Sequence, residues 1–188
     1  GLMSLVVQKY GGTSLGNAER LQNVAKIIAD TLEQNRVIVV VSAMSSYTKA
    51  EGTTSRLLEA GDLAISGGPF FRVLDLVEQS HFKALEDAIF DPVIMEEVKE
   101  YIHEELRSLK AFLEAIHVIN EISPRSQDLI IGTGERLSAR LLSGVLKSYG
   151  IDSAYTDLSQ SVDENASDNH LDFYLQCQKS FRNQMSEK

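Results

Sequence analysis

Apolar positions along the chain change period several times, and each change marks a shift between short strand and long helix. Leu5-Val6-Val7 runs into Gln8 and Lys9, which predicts a first strand over 5–9. From Asn17 to Gln34, Leu21, Val24, Ala25, Ile27, Ile28 and Leu32 recur every three to four residues, the stripe of a helix with one buried face. Val37-Ile38-Val39-Val40-Val41 is then continuous and β-branched, which predicts a parallel strand covered on both faces. Strand, helix and strand within about forty residues make a βαβ unit with a right-handed crossover.

The middle of the chain reads differently. From about 54 to 122 no run has strand character. Phe71, Leu74, Val77, Phe82, Leu85 and Ile89 mark a helix over 70–90. Pro92 suits the first position of the next, which runs to about Asn120 on Val98, Ile102, Leu106, Leu109, Leu113 and Ile116. This helical insertion either covers a cleft or is a packed hairpin with no role beyond stability. A further helix is predicted over 126–149, interrupted near Gly132-Thr133-Gly134, and a short third strand over 153–156. The stretch 163–188 reads as a polar loop followed by part of a helix that includes Cys177. Three strands alone would leave a buried parallel strand at an open edge, so the chain is expected to be a fragment of a larger domain.

Composition removes some functions without naming one. At 188 residues, 43% hydrophobic and 24% charged, the chain can bury one sizeable core and has an ordinary soluble balance. Eighteen basic against 27 acidic residues give a net charge of −9, which argues against a nucleic-acid surface. Cys177 is the single cysteine, so no internal disulfide forms and a reducing compartment fits. No apolar stretch approaches the ~20 residues of a membrane span. The expectation is a cytoplasmic protein with no nucleic-acid or membrane partner. His81, His103 and His117 fall on helices without a matching ligand cluster and His170 in a polar loop, so no metal site is expected from them.

The candidate chemistry begins at Lys9-Tyr10-Gly11-Gly12-Thr13-Ser14. A strand that delivers a lysine into a Gly-Gly-Thr-Ser turn ahead of a helix has the parts of an oxyanion site. Glycines let amides approach a ligand, the helix start is positive, and Lys9, Thr13 and Ser14 add charge and donors. It is not a P-loop, whose lysine follows its glycines, and no G-x-G-x-x-G is present. The alternative is a tight βα turn in which Gly-Gly only supplies unusual dihedrals. A second locus, Ser42-Ala43-Met44-Ser45-Ser46, leaves the carboxyl end of the 37–41 strand, the ligand-binding side of open α/β sheets. Thr53 or Thr54 then caps a helix; hydroxyls there either hold a carboxylate or cap and nothing more. The third locus is Gly134-Glu135-Arg136 at an expected helix start. Glu135 either binds an ammonium group or is a first-turn acid favoured by the dipole.

Order and spacing of these three loci resemble the aspartokinases. Lys9-Tyr10-Gly11-Gly12-Thr13-Ser14 is similar to their opening motif, Val41-Ser42-Ala43-Met44-Ser45 to their second and Gly134-Glu135 to their third. Ser45 to Leu58 is longer than the usual bacterial Ser-Gly-x-Thr-Asn and resembles the fungal branch. The resemblance implies an α/β fold, the αβα sandwich of amino-acid kinases around a mostly parallel sheet, and a reaction moving the γ-phosphoryl of ATP with Mg2+ to the β-carboxylate of L-aspartate. It implies that Lys9 stabilises the transferring phosphoryl and that Gly11, Gly12, Thr13 and Ser14 hold its oxygens. Ser42 would contact aspartate and Glu135 its α-ammonium, with Thr54 preferred over Thr48 as the substrate threonine. A Gly-Arg-Gly-Gly-Ser-Asp segment, the nucleotide-holding half and regulatory ACT domains lie further along in the family and are not in this sequence. The expected piece is therefore the N-terminal, aspartate-binding part of an enzyme that is a homo-oligomer when whole. A non-enzymatic relative that binds a partner through its helical hairpin is the other reading.

Overall fold

Asn17 fixes where the first helix begins. Its side chain accepts the Arg20 amide at 2.9 Å and so caps α1 (Ala18–Leu32), satisfying one of the amides a helix start leaves open. The computed structural model describes residues 2–157 and 173–180. On either side of α1 in the chain, β1 (Ser4–Tyr10) and β2 (Asn35–Val41) pair in parallel, with Val6 opposite Val37 and Tyr10 opposite Val41. The βαβ unit is the one the apolar pattern predicts.

Four more helices follow: α2 (Thr53–Ser66), α3 (Phe70–Ala88), α4 (Pro92–Ile119) and α5 (Pro124–Ser148). Their ends have local causes. Gly67 at φ 78° turns the chain out of α2, and Asn120 at φ 61° does the same for α4. Asp91 accepts the Val93 amide at 2.8 Å and Ser123 the Ser126 amide at 3.1 Å, each just before a first-turn proline. Along α4, Ile94, Val98, Ile102, Leu106, Leu109, Leu113 and Ile116 are all buried, the stripe read from the sequence. α2, α3 and α4 occupy the stretch without strand character, and they pack on one another and on α5.

β3 (Ile151–Asp157) and β4 (Phe173–Lys179) complete a sheet of order β1-β2-β4-β3. β4 runs antiparallel to both neighbours, so β1, β2 and β3 point the same way and β4 opposes them. The sheet is mixed by pairing and mostly parallel by strand direction.

Three expectations change. Residues 173–179 form a strand and not a helix: Leu175 and Cys177 are buried while Gln176 and Gln178 are exposed, a period of two that the surrounding polar sequence hides. That strand fills the open edge of β2, with Val39 opposite Leu175, which removes the exposed edge. The rest of the expected loop and helix, with His170, lies outside the described residues. α5 runs without a break through Gly132-Thr133-Gly134, all three buried, because packing outweighs the ~1 kcal/mol that a helical glycine costs. β2 is fully covered on one face only. Val37, Val39 and Val41 are buried beneath α1 and α5, whereas Ile38 and Val40 are half-buried, and beside them on β1 Leu5 and Val7 are 50% and 61% exposed. Of the αβα layers, the described residues supply the sheet and one helical layer.

Candidate functional site

Alternation along β1 places Gln8 and Tyr10 toward α1 and Lys9 on the uncovered face. The Tyr10 hydroxyl donates to Gln8 Oε1 at 2.8 Å, and Gln8 Nε2 donates to Thr31 Oγ1 of α1, also at 2.8 Å. Burial pushes the Tyr10 phenol above its ordinary pKa, with a smaller contribution from the Cys177 thiol across the sheet. Lys9 is exposed and enters no ion pair among the described residues. It stands as an uncommitted cation at the carboxyl end of its strand.

After Tyr10 the chain does not pass straight into α1. It makes a single 3-10 turn over Gly12–Leu15, with the Ser14 amide donating to Gly11 O at 3.1 Å and Leu15 fully buried as its anchor. The opening amides of a helical turn have no acceptor within it, and no side chain caps this one. Gly12 and Thr13 amides, with the exposed Thr13 and Ser14 hydroxyls, thus remain as donors. The α1 start, by contrast, is already occupied by Asn17, so its dipole is not what the turn presents. Arg20, from the first turn of α1, reaches back and donates to Thr13 O at 2.5 Å and to the Tyr47 hydroxyl. Its guanidinium lies over the Tyr47 ring, 4.7 Å from the centroid.

The loop after β2 is tied to this turn by its backbone. The Ser42 amide donates to Tyr10 O and the Ser45 amide to Gly12 O, each at 3.1 Å. A Cβ on Gly12 would run into the Ala43 carbonyl, so the close approach requires glycine there. α2 begins at Thr53 with Gly52 as its N-cap and no capping side chain, so neither Thr53 nor Thr54 is the cap. Thr53 is only 3% exposed and its amide donates to Met44 O at 3.1 Å. Thr54 and Thr48 are both exposed.

Gly134 brings the third segment in. A Cβ there would sit 2.9 Å from the Ala43 Cβ and 3.1 Å from Thr53 Cγ2, so α5 lies directly against the β2–α2 loop. Glu135 follows, half-buried in the body of α5 and not at a helix start. Arg136 pairs with Glu105 of α4 and donates to Thr133 Oγ1 at 3.0 Å, which holds this part of α5 in register. Gly12 and Gly134 therefore both meet Ala43, in the loop that begins with Ser42. Thr48 and Thr54 stand on the outer side. Thr53, the threonine that faces the gathered loops, was legible only through its spacing with the buried Leu57 and Ala60. A cavity of about 530 Å3 borders the same loops, lined by Gly16, Ser45, Thr53, Arg56, Ser80 and Lys83. No helix among the described residues is long and apolar enough to cross a membrane.

Known proteins resemble this chain in sequence and in fold. The family described as "Amino acid kinase family" matches residues 4–183. The aspartokinase of Schizosaccharomyces pombe is 41% identical over 169 residues, covering 89% of this chain and 32% of that protein. The aspartokinase of Saccharomyces cerevisiae is 36% identical over 175 residues, with the same two coverages of 89% and 32%. The fold is similar to that of E. coli aspartokinase III in complex with aspartate and ADP, with a TM-score of 0.60 and 26% identity over 79% of this chain and 30% of that one. The chain spans about a third of the length of the curated relatives it matches.

Proposed function

The chain belongs to the amino acid kinase family, and we propose that it supplies the phosphate turn and the acceptor-binding side of an aspartate kinase. What carries the proposal is the convergence on Ala43: Gly12 and Gly134, from two of the three motifs, both abut it, and the loop bearing Ser42 lies between them. In the reaction, a β-carboxylate oxygen of L-aspartate attacks the γ-phosphorus of ATP, the bond to the ADP oxygen breaks, and aspartyl phosphate forms. No covalent enzyme intermediate is needed, so the protein contributes positioning and charge neutralisation. Lys9 meets the transferring phosphoryl, and the Gly11-Gly12-Thr13-Ser14 turn donates to its oxygens. Uncapped amides, two free hydroxyls and an uncommitted lysine fit that anion. Mg2+ enters with the nucleotide, and no residue of this chain is assigned to it.

On the acceptor side, Ser42 contacts aspartate and Glu135 pairs with its α-ammonium. Thr48 and Thr54 remain candidates by resemblance, and the burial of Thr53 beside Gly134 adds it to them. The fungal aspartokinases support this reading over a non-enzymatic, partner-binding relative. The role that follows is the committed step toward lysine, threonine and methionine, in the cytoplasm, by a homo-oligomer.

Hydroxylamine trapping of aspartyl phosphate tests it. In the enzyme that contains this segment, Glu135→Gln raises the KM for aspartate about ten- to a hundredfold, the cost of one charge-assisted hydrogen bond, and leaves that for ATP nearly unchanged. Unaltered aspartate kinetics would remove Glu135 from the site. The 188-residue chain by itself forms negligible hydroxamate; robust turnover would place the ATP site within it.

A further inference from the structure

Arg140 of α5 is held as a plate against two aromatic rings. Its guanidinium carbon is 4.3 Å from the centre of the Tyr101 ring on α4 and 5.1 Å from that of the Tyr155 ring on β3. The Nε is shut off from solvent with no hydrogen-bond partner among the described residues. No ion pair involves Arg140 there either, whereas Arg136, one turn earlier on the same helix, has Glu105. A buried donor left unmet is costly, and aromatic contacts fix the planar fork without answering its hydrogen-bonding need. The arrangement is preorganised for an oxyanion.

The side chain lines a cavity of about 390 Å3 between α4, α5 and the amino-terminal half of β3. Because β3 points the same way as β1 and β2, this is the end of the sheet opposite the Lys9 and Ser42 loops. The Ser143 and Ser153 hydroxyls meet at 2.7 Å within it. Two hydroxyls that bond each other use one proton, so the second remains to donate to a ligand oxygen. Ile94, Val98 and Ile151 give the cavity an apolar wall. Glu97 and Asp152 lie on its lining as well, with Lys147 held to Glu97 at 3.3 Å. Two carboxylates against two cations disfavour a multiply charged anion and tolerate a singly charged one.

We propose that this cavity binds a small monocarboxylate with an apolar body, its carboxylate on the Arg140 guanidinium and its body against Ile94 and Val98. The site lies apart from the phosphate turn and uses none of its residues. Nuclear magnetic resonance of the 188-residue chain tests it, with isovalerate, its neutral isostere isovaleramide and inorganic phosphate as probes. Isovalerate shifts the Arg140 Nε–H and the Ser143, Gly144 and Ser153 amides saturably, isovaleramide does not, and phosphate acts more weakly at these positions. Arg140→Met keeps the aliphatic stem between the rings and weakens the response about ten- to a hundredfold; Arg140→Lys restores it only in part. An equal response to the amide would overturn the proposal without need of any variant. So would a response that persists in Arg140→Met, one confined to residues 11–14, or phosphate binding tighter than isovalerate.

Discussion

Gly134 and Ala43 meet with no room for a side chain between them: a Cβ on Gly134 would lie 2.9 Å from that of Ala43. The contact joins the middle of α5 to the loop that carries Ser42, and it opposes the gain that alanine would otherwise bring to a helix. Gly134→Ala gains about 1 kcal/mol of helix propensity and loses a comparable amount to the forced shift of Ala43 and Thr53, so its net stability change is small. Gly134→Val adds bulk against Thr53 Cγ2 and Leu57 Cδ1, at 3.1 and 3.2 Å from the position of the Cβ, and destabilises by about 1–3 kcal/mol. Urea unfolding of the two variants checks this. Equal midpoints for valine and wild type would mean that α5 does not pack on the loop.

Tyr47 ties the same loop to the Gly12–Leu15 turn, through Arg20 and its bond to Thr13 O. Tyr47 is 86% exposed, so it contributes little to the core. Tyr47→Ala therefore leaves the unfolding free energy within about 0.5 kcal/mol of wild type while loosening the turn. Hydrogen exchange should quicken at the Ser14 and Gly16 amides, whose bonds to Gly11 O and Thr13 O close the turn. Tyr47→Phe keeps the stacking and shows a smaller change. Exchange unaltered in both variants would mean that the tyrosine decorates the loop without holding it.

Much of this arrangement was legible along the chain. The helical stripes of α1 and α4 give their own boundaries because each has a cap or a stop written beside it: Asn17 for α1, and Asp91 with Pro92 and Asn120 for α4. What was hidden depends on contacts far apart in sequence. Gly132-Thr133-Gly134 reads as a break because local propensity disfavours it, and only Ala43 and Thr53, on the other side of the fold, explain why the helix continues. β4 is hidden for a related reason. Leu175 and Cys177 alternate with glutamines over too few residues to signal a strand, and the strand exists because β2 has an edge to offer. Residue type marks the three motifs, but the meeting of Gly12 and Gly134 at Ala43 and the burial of Thr53 in place of Thr54 are tertiary facts.

At Lys9 the chemistry separates from the fold. The side chain is exposed and unpaired among the described residues, so Lys9→Ala leaves circular dichroism and the melting curve unchanged. On the proposed reading, kcat of the whole enzyme falls on the order of a hundred- to a thousandfold, as expected when a preorganised donor to a transferring group is lost, with a much smaller effect on aspartate binding. Lys9→Arg restores the rate only in part, since a planar fork replaces a compact charge beside a tight turn. Steady-state kinetics decide: near-normal kcat in Lys9→Ala would end the case for the phosphate turn.

His81 gives the helical insertion a dependence on pH. It is fully buried on α3, its Nδ1–H donating to Val77 O at 2.7 Å and its Nε2 without a partner among the described residues. Burial, chiefly, with a smaller push from the positive Arg56, lowers its pKa from 6.5 to about 4 even though the Val77 carbonyl pulls the other way. The neutral ring is therefore the form the fold accepts. Above pH 6.5 neither folded nor unfolded chain binds the proton and the group has no effect. As pH falls from 6.5 toward 4 the unfolded chain takes up a proton that the folded chain refuses, and stability declines. Across that span of 2.5 units the loss is on the order of 3 kcal/mol. His81→Leu fills the same space without a titrating group, and Val77 O keeps its bond within the helix. Denaturant unfolding at intervals from pH 7 to 4 should give a stability curve for wild type that drops more steeply than that of His81→Leu, the two diverging only below about 6.5. Parallel curves would show that His81 reaches water before the helices part.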